Sequence, residues 1–349
     1  EENMSSTGTI SVLGALAVSA TMVCSGPVQA DAVADFYKGK TVTIVSAGSA
    51  GGAHGVYGQV ISAHMQKYFP GKPTIIIQYM AGAGGNKAMS YLFNATTDNG
   101  TFLGIPLQDL IFNARIGMRA VKYDPKQAHF LGGADVTRTT VTVMKSSGVT
   151  TLEEAKQKEV LMAASGTAAQ PYMIPIVLNN LLNTKFRVIT GYRGINPMHL
   201  AMERGEVQGL AASWQSITTT KQDWIQKDLV ANLITVAMER EPDLPQVPSL
   251  AELVSSEEDK SLIRLMAASS VHGRAWIAHG GIPEARLAAL RKAYANTLAD
   301  PAFQADAKKR DLPLRPVTWA LQEERKRDII ETPDKTVQRL KSMLNIKKN

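Results

Sequence analysis

Short runs rich in β-branched residues alternate along this chain with stretches of helical period, and several of the runs break off into glycine. Residues 41–45 (TVTIV), 74–78 (TIIIQ) and 101–105 (TFLGI) read as strands. After the first, Val56, Val60 and Ala63 fall at i, i+4 and i+7, one apolar face of a helix over 52–69 that Pro70-Gly71 stops. Residues 86–94 form a second helix. This βαβαβ order predicts a parallel sheet with helices on both faces, and ligands of such sheets sit beyond the carboxyl ends of the strands.

The same grammar is used again further on. Residues 140–144 read as a strand, Thr151 and Glu154 as a capping box opening a helix, and 160–164 as a strand ending in Ser165-Gly166-Thr167. Residues 187–190 end in GYRG, a helix follows over 197–204, and 207–211 end in Ala212-Ser213-Trp214. From about residue 229 the chain turns back through ANLITVAM, the proline-rich EPDLPQVPSL and AWIA at 275–278, which supply sheet and hinge elements to the first unit. The tail is helical, with Pro283 expected at a first helical position, Leu287, Leu290, Tyr294 and Leu298 on one face, and Asp300-Pro301 opening another helix.

Composition adds bounds. A chain of 349 residues exceeds one small core, and 44% hydrophobic with 20% charged residues is ordinary for a globular protein. Residues 10–24 are uncharged and apolar, and Val28-Gln29-Ala30 has the small-x-small spacing of a signal-peptidase site, so 1–30 read as a secretory signal. A membrane anchor would need roughly 18 or more apolar residues. The run lacks the basic residue that ordinarily precedes it, and the residues before Cys24 do not form a lipoprotein box. Losing this segment removes Glu1, Glu2 and the single cysteine, and raises the formal charge of +7 by two. A cysteine-free mature chain suits an oxidising compartment and has no thiol nucleophile. Its bases are scattered among acids with no nucleic-acid-binding pattern, so the positive balance reads as an attraction for small anions.

Candidate chemistry is sparse on the catalytic side. The six histidines show no metal-ligand spacing, and Ser165 and Ser213 lack the G-x-S-x-G setting of a nucleophile. Glu153 and Glu154 suit a first helical turn, and the charges of 202–206 and 307–311 suit solvated helix ends. Gly39-Lys40-Thr41 resembles the end of a phosphate loop, but Ala34 stands at its first glycine. Gly82-Ala83-Gly84 opens a dinucleotide fingerprint, but Lys87 fills its third position. What remains is a strand, a small-residue loop and a helix N-terminus, repeated: backbone can approach a ligand there, and unpaired N–H groups make an anion seat. The loops at 47–55, 81–86 and 165–168 are expected to converge on a carboxylate or phosphate, with Tyr172, Tyr192 and Trp214 at strand ends serving either as cleft walls or, equally, as core.

The motifs FYKGKT (36–41), the paired glycines 51–52, PGKPTI (70–75), GAGG (82–85) and DNGT (98–101) occur in the order found in periplasmic solute-binding proteins of tripartite tricarboxylate transporters, the Bug-type receptors. ITGYRGINPMHLAMERGEVQGLAASW resembles that family's second-domain loop and helix, and residues 281–316 resemble its C-terminal helices. The resemblance implies an α/β, type II-like two-domain periplasmic binding protein fold, each domain a mainly parallel sheet flanked by helices. Domain 1 would hold residues 31–138 and 241–349, domain 2 residues 139–240. It implies a periplasmic, monomeric receptor without enzymatic activity, cofactor or metal, which closes on a small organic carboxylate and delivers it to membrane permease subunits, with no nucleic-acid partner. Carried over by position, the site comprises Ser49, Ala50, His54, Ala83, Gly84 and Gln108 from the first domain. The second gives Ser165, Gly166, Thr167, Tyr192, Asn196, Ser213 and Trp214. Such receptors often carry an Asp where this chain has Gly55 and an Arg where it has Gln59. Two other readings use the same features: a dinucleotide-dependent oxidoreductase with Asp98 or Asp109 as ribose partner, and a ligand-sensing domain for a membrane regulator.

Overall fold

The computed structural model describes residues 27–346. The expected signal segment lies outside them except for its last four residues, which open the first helix. The described strands are β1 Thr41–Ser46, β2 Thr74–Tyr79, β3 Phe102–Ile105, β4 Ala128–Gly133, β5 Thr139–Met144, β6 Val160–Ala164, β7 Phe186–Thr190, β8 Gly209–Ser213, β9 Val230–Thr235 and β10 Ala275–His279. Between and after them run α1 Pro27–Tyr37, α2 Ala53–Met65, α3 Asn86–Ala95, α4 Leu110–Arg115, α5 Leu152–Gln157, α6 Gln170–Leu182, α7 Ile195–Glu203, α8 Trp214–Thr220 and α9 Gln222–Gln226. The return and tail hold α10 Glu257–Ala268, α11 Glu284–Ala299, α12 Pro301–Lys309, α13 Trp319–Glu331 and α14 Asp334–Met343.

Two five-stranded sheets result, ordered β2-β1-β3-β10-β4 and β7-β6-β8-β5-β9. The expected parallel pairing holds for three strands of each: β1 pairs parallel with β2 and β3, and β6 with β7 and β8. The fourth strand of each sheet is inverted, because β10 is antiparallel to β3 and β4, and β5 to β8 and β9. Each sheet is therefore mixed, with four of its five strands pointing one way. The reason lies in the connections. Strand β5 is entered straight from β4 of the other sheet with no helix between, and β10 is entered from the second lobe by way of α10, so each joins its sheet against its neighbours. Strand β4 and helix α4 are absent from the sequence reading, as is α6, and Pro283 proves to be the residue before α11 rather than its first.

Val42, Ile44, Tyr57, Ile61, Trp276 and Tyr294 centre the core of the first lobe. Met198, Leu210, Trp214 and Trp224 centre one core of the second. A further apolar cluster is shared, bringing Phe112 of α4 against Met173 and Ile174 of α6, with Val236 just after β9 and Met266 of α10. At about 1.5–3 kcal/mol for each large side chain fully buried, this seam is enough to hold the lobes together along one side. The two chain crossings lie beside it. Arg315 ties them, bonding Asp135 on the first at 3.1 Å and Asp243 on the second at 2.9 Å, while Arg138 pairs with Glu241.

Candidate functional site

Between the sheets lies a cavity of about 140 Å³. Held against roughly 10–15 Å³ for one enclosed water, that is room for about ten waters or one small organic molecule. Six helices begin at it. The residues just before α2, α3, α4, α6, α7 and α8 are Gly52, Gly85, Asp109, Ala169, Gly194 and Ser213, and all six line the cavity. None caps its own helix with a side chain. In four of them no capping atom exists. In Ser213 it is turned to Gln215 at 2.8 Å, and in Asp109 to Gln170. The first-turn N–H groups have no acceptor inside a helix, and their partial positive charge points at one volume.

A buried cation completes this field. Arg274, 2% exposed, lines the cavity from the loop before β10, in a left-handed conformation with φ of 51°. Its Nη1 lies 3.0 Å from Nδ1 and 3.1 Å from Nε2 of His54, and its Nη2 donates to Ser213 Oγ at 3.2 Å. The guanidinium carbon stands 5.3 Å from the centre of the Tyr57 ring. Arg274 thus touches both lobes. Among the described residues no carboxylate lies within 4 Å of it: nearby Asp135 is engaged by Arg315, and Arg274 Nε has no partner. Burial presses against its charge, yet a guanidinium stays protonated in proteins. Burial, and then Arg274 itself, hold the His54 imidazole well below its usual range, so it is neutral and can accept the arginine's proton-bearing edge.

Opposite chemistry lines the other part of the wall. Gln108 Nε2 donates to Gln170 Oε1 at 2.7 Å and to Thr139 Oγ1 at 3.3 Å, and Thr139 donates to the same Gln170 oxygen at 2.7 Å. Gln170 Nε2 then donates to Asp109 Oδ1 at 2.8 Å. Burial pushes the Asp109 carboxyl up to about 7, against the bonds from Gln170 and Ser269. These bonds run from the first lobe to the second, as does Asn113 Nδ2 to the Ala168 carbonyl at 3.1 Å, so the cleft is shut.

Of the residues carried over by position, Ser49, His54, Gly84, Gln108, Ser165 and Ser213 line the cavity. The others do not. Ala50, Ala83, Thr167 and Asn196 are exposed, and Gly166 faces open space. Tyr192 leans on the second lobe's core, and Trp214 is inside it, 9% exposed, because β8 ends at Ser213 and the first turn of α8 carries the indole inward. Tyr172 packs against the shared cluster. Of the two readings of these aromatics, the structure places them at the cores rather than at the cavity wall, whose apolar lining includes Ala47, Ala53, Leu107, Ile195 and Met198. Sequence reasoning missed Arg274 and Gln170, and took Asp109 only as a ribose partner; its other candidate for that role, Asp98, sits beside Gly281. The one signal for Arg274 was a lone base directly before the apolar run AWIA.

Among the described residues no group of three or more metal-binding side chains occurs, and no helix is long and apolar enough to cross a membrane. No family model and no curated protein matches the chain. Solved structures do. The periplasmic binding protein BugD is 16% identical over 90% of this chain and 100% of its own, with a TM-score of 0.69. An R. palustris protein solved with adipate is 17% identical over 88% of this chain and 97% of its own, with a TM-score of 0.67. MatC from Rhodopseudomonas palustris with bound malate is 18% identical over 87% and 99%, with a TM-score of 0.65. The fold of this chain is that of the two-domain periplasmic binding proteins.

Proposed function

We propose that this protein is an extracytoplasmic receptor that encloses a small organic carboxylate between its lobes and hands it to a membrane permease of the tripartite tricarboxylate type. The observation that carries the reading is Arg274: a guanidinium buried at the cavity wall, without a carboxylate of its own, where six helix N-termini meet. A buried charge left unpaired is costly, and an anionic ligand supplies the missing partner. Two of the proteins similar in fold were solved with adipate and with malate, both carboxylates. The reading places the protein in the periplasm as a monomer, with lobes made of residues 31–138 with 241–349 and of 139–240.

Binding, not chemistry, is the whole task. The cavity is far smaller than a dinucleotide, and Lys87 stands exposed where that fingerprint needs its third glycine, so the oxidoreductase reading is not favoured. Because each lobe supplies part of the seat, ligand stabilises the shut state over the open one.

Thermal unfolding against a panel of mono-, di- and tricarboxylates tests this. A carboxylate at 100 times its dissociation constant adds about 2.7 kcal/mol of stability. In Arg274→Gln the affinity is expected to fall roughly ten- to a hundredfold, the value of about 1.5–3 kcal/mol for a charge-assisted hydrogen bond. Equal affinity in parent and variant, or a shift with dinucleotides alone, overturns the reading.

A further inference from the structure

Arg274 has a counterpart that the carboxylate reading leaves unused. Asp109 is 5% exposed, lines the same cavity, and stands before α4 without capping it. Its Oδ1 accepts from Gln170 Nε2 at 2.8 Å and Ser269 Oγ at 3.4 Å. Its Oδ2 takes no hydrogen bond among the described residues, and no Lys, Arg or His nitrogen among them lies within 4 Å of the carboxylate. Among the described residues, the cavity wall thus holds a buried cation with no carboxylate within 4 Å, Asp135 lying farther off and bound to Arg315, and a buried carboxyl with no cation within 4 Å. Besides His54, these are the two ionisable groups that line it.

Resting on the carboxylate reading, we infer that the ligand is a carboxylic acid whose other end donates a hydrogen bond through nitrogen, an ammonium or an amide, with Asp109 as the residue that selects it. The argument is one of pairing. A dicarboxylate would satisfy Arg274 and set its second anion on a wall that already carries a carboxyl. An amino acid or acid amide places a donor there, and an ammonium also leaves the enclosed charges balanced. Sites built to pair a particular polar group discriminate strongly against analogues that leave the site's buried atoms unpaired. Gln170 fixes the carboxyl's orientation from the opposite lobe, so the choice is made only in the shut cleft. The largely aliphatic lining, without Phe, Tyr or Trp, suits an open-chain skeleton.

The test uses acids matched in carbon skeleton and differing at one end: succinate, succinamate and 4-aminobutanoate; glutarate, glutaramate and 5-aminopentanoate; adipate, adipamate and 6-aminohexanoate. Affinities come from calorimetry on the parent protein, Asp109→Asn and Arg274→Gln. On the skeleton that fits, a donor-bearing acid is expected to bind at least about tenfold tighter than the dicarboxylate. In Asp109→Asn, whose amide oxygen can still accept from Gln170, that preference should vanish or reverse. Circular dichroism and the melting temperature show whether the variant is folded. A dicarboxylate that binds as well or better in the parent overturns the inference, as does an unchanged preference in a folded Asp109→Asn. In that event, lost binding of the dicarboxylate in Arg274→Gln would leave the carboxylate reading standing. No binding by any of the nine acids would overturn both.

Discussion

Gly55, third residue of α2, has no room for a side chain: a β-carbon there would collide with the carbonyls of Ser49 and Ala50, which fold back over the first helical turn. The Asp that similar receptors often carry at this place cannot be accommodated by this loop. The acceptor is supplied instead by Asp109, from another element. Its carboxyl makes a prediction with a definite sign. With a folded-state value of about 7 against 3.8 unperturbed, it is protonated in both states at low pH, and between about 4 and 7 folding takes up a proton. Acidification through that window therefore favours the fold, and above it the buried charge opposes folding. Ligand-free Asp109→Asn is expected to melt higher than the parent at pH 8, with the gap narrowing by pH 5; thermal scans at the two values check it. The loops that hold Ser49, Gly84 and Ser165 stand out in the sequence because glycine and small residues at strand ends are a local signal, whereas His54 and Ser213 came from the family resemblance. Arg274 and Asp109 do not stand out, since a single charge in a sequence reads as solvated until the fold shows it enclosed.

Among elements, the decisive feature is the meeting of helix starts. Gly84, with φ of 62°, touches the second lobe so closely that a β-carbon would fall well inside van der Waals contact of the Ala168 carbonyl. That carbonyl also accepts from Asn113. Gly84→Ala combines left-handed strain, about 1 kcal/mol or more, with a clash that exists only when the lobes meet. Ligand affinity is expected to fall about tenfold or more while the secondary structure by circular dichroism is unchanged; titration of the variant with a carboxylate that binds the parent measures this. Most of the other strands lay within one to three residues of their expected places because their apolar runs are local. Strand β4, AHFLGG, was hidden by its His and paired glycines, and it owes its place to β10, far along the chain. Helix α6 carries Pro175 in its interior, which argues against a helix locally, and burial of Met173, Ile174, Val177 and Leu178 overrides it.

At the scale of the whole molecule, the shut cleft and the apolar seam along one side set the permitted motion: the lobes can part at the cavity while staying joined at α4, α6 and α10. Small-angle scattering is expected to give a larger radius of gyration without ligand than with it, and superimposable curves would contradict a hinge. The two inverted strands carry a different meaning for how the chain comes into being. The second sheet is built from one continuous stretch, β5 to β9, and can form as soon as residue 235 is available. The first sheet cannot: β4 pairs within it only through β10, so 128–133 wait for 275–279. The lobe made first is thus finished last, and for some 140 residues of chain growth its edge strand stays unmatched. For a chain read as exported, the first lobe is therefore complete only once residues 275–279 have followed the finished second lobe across.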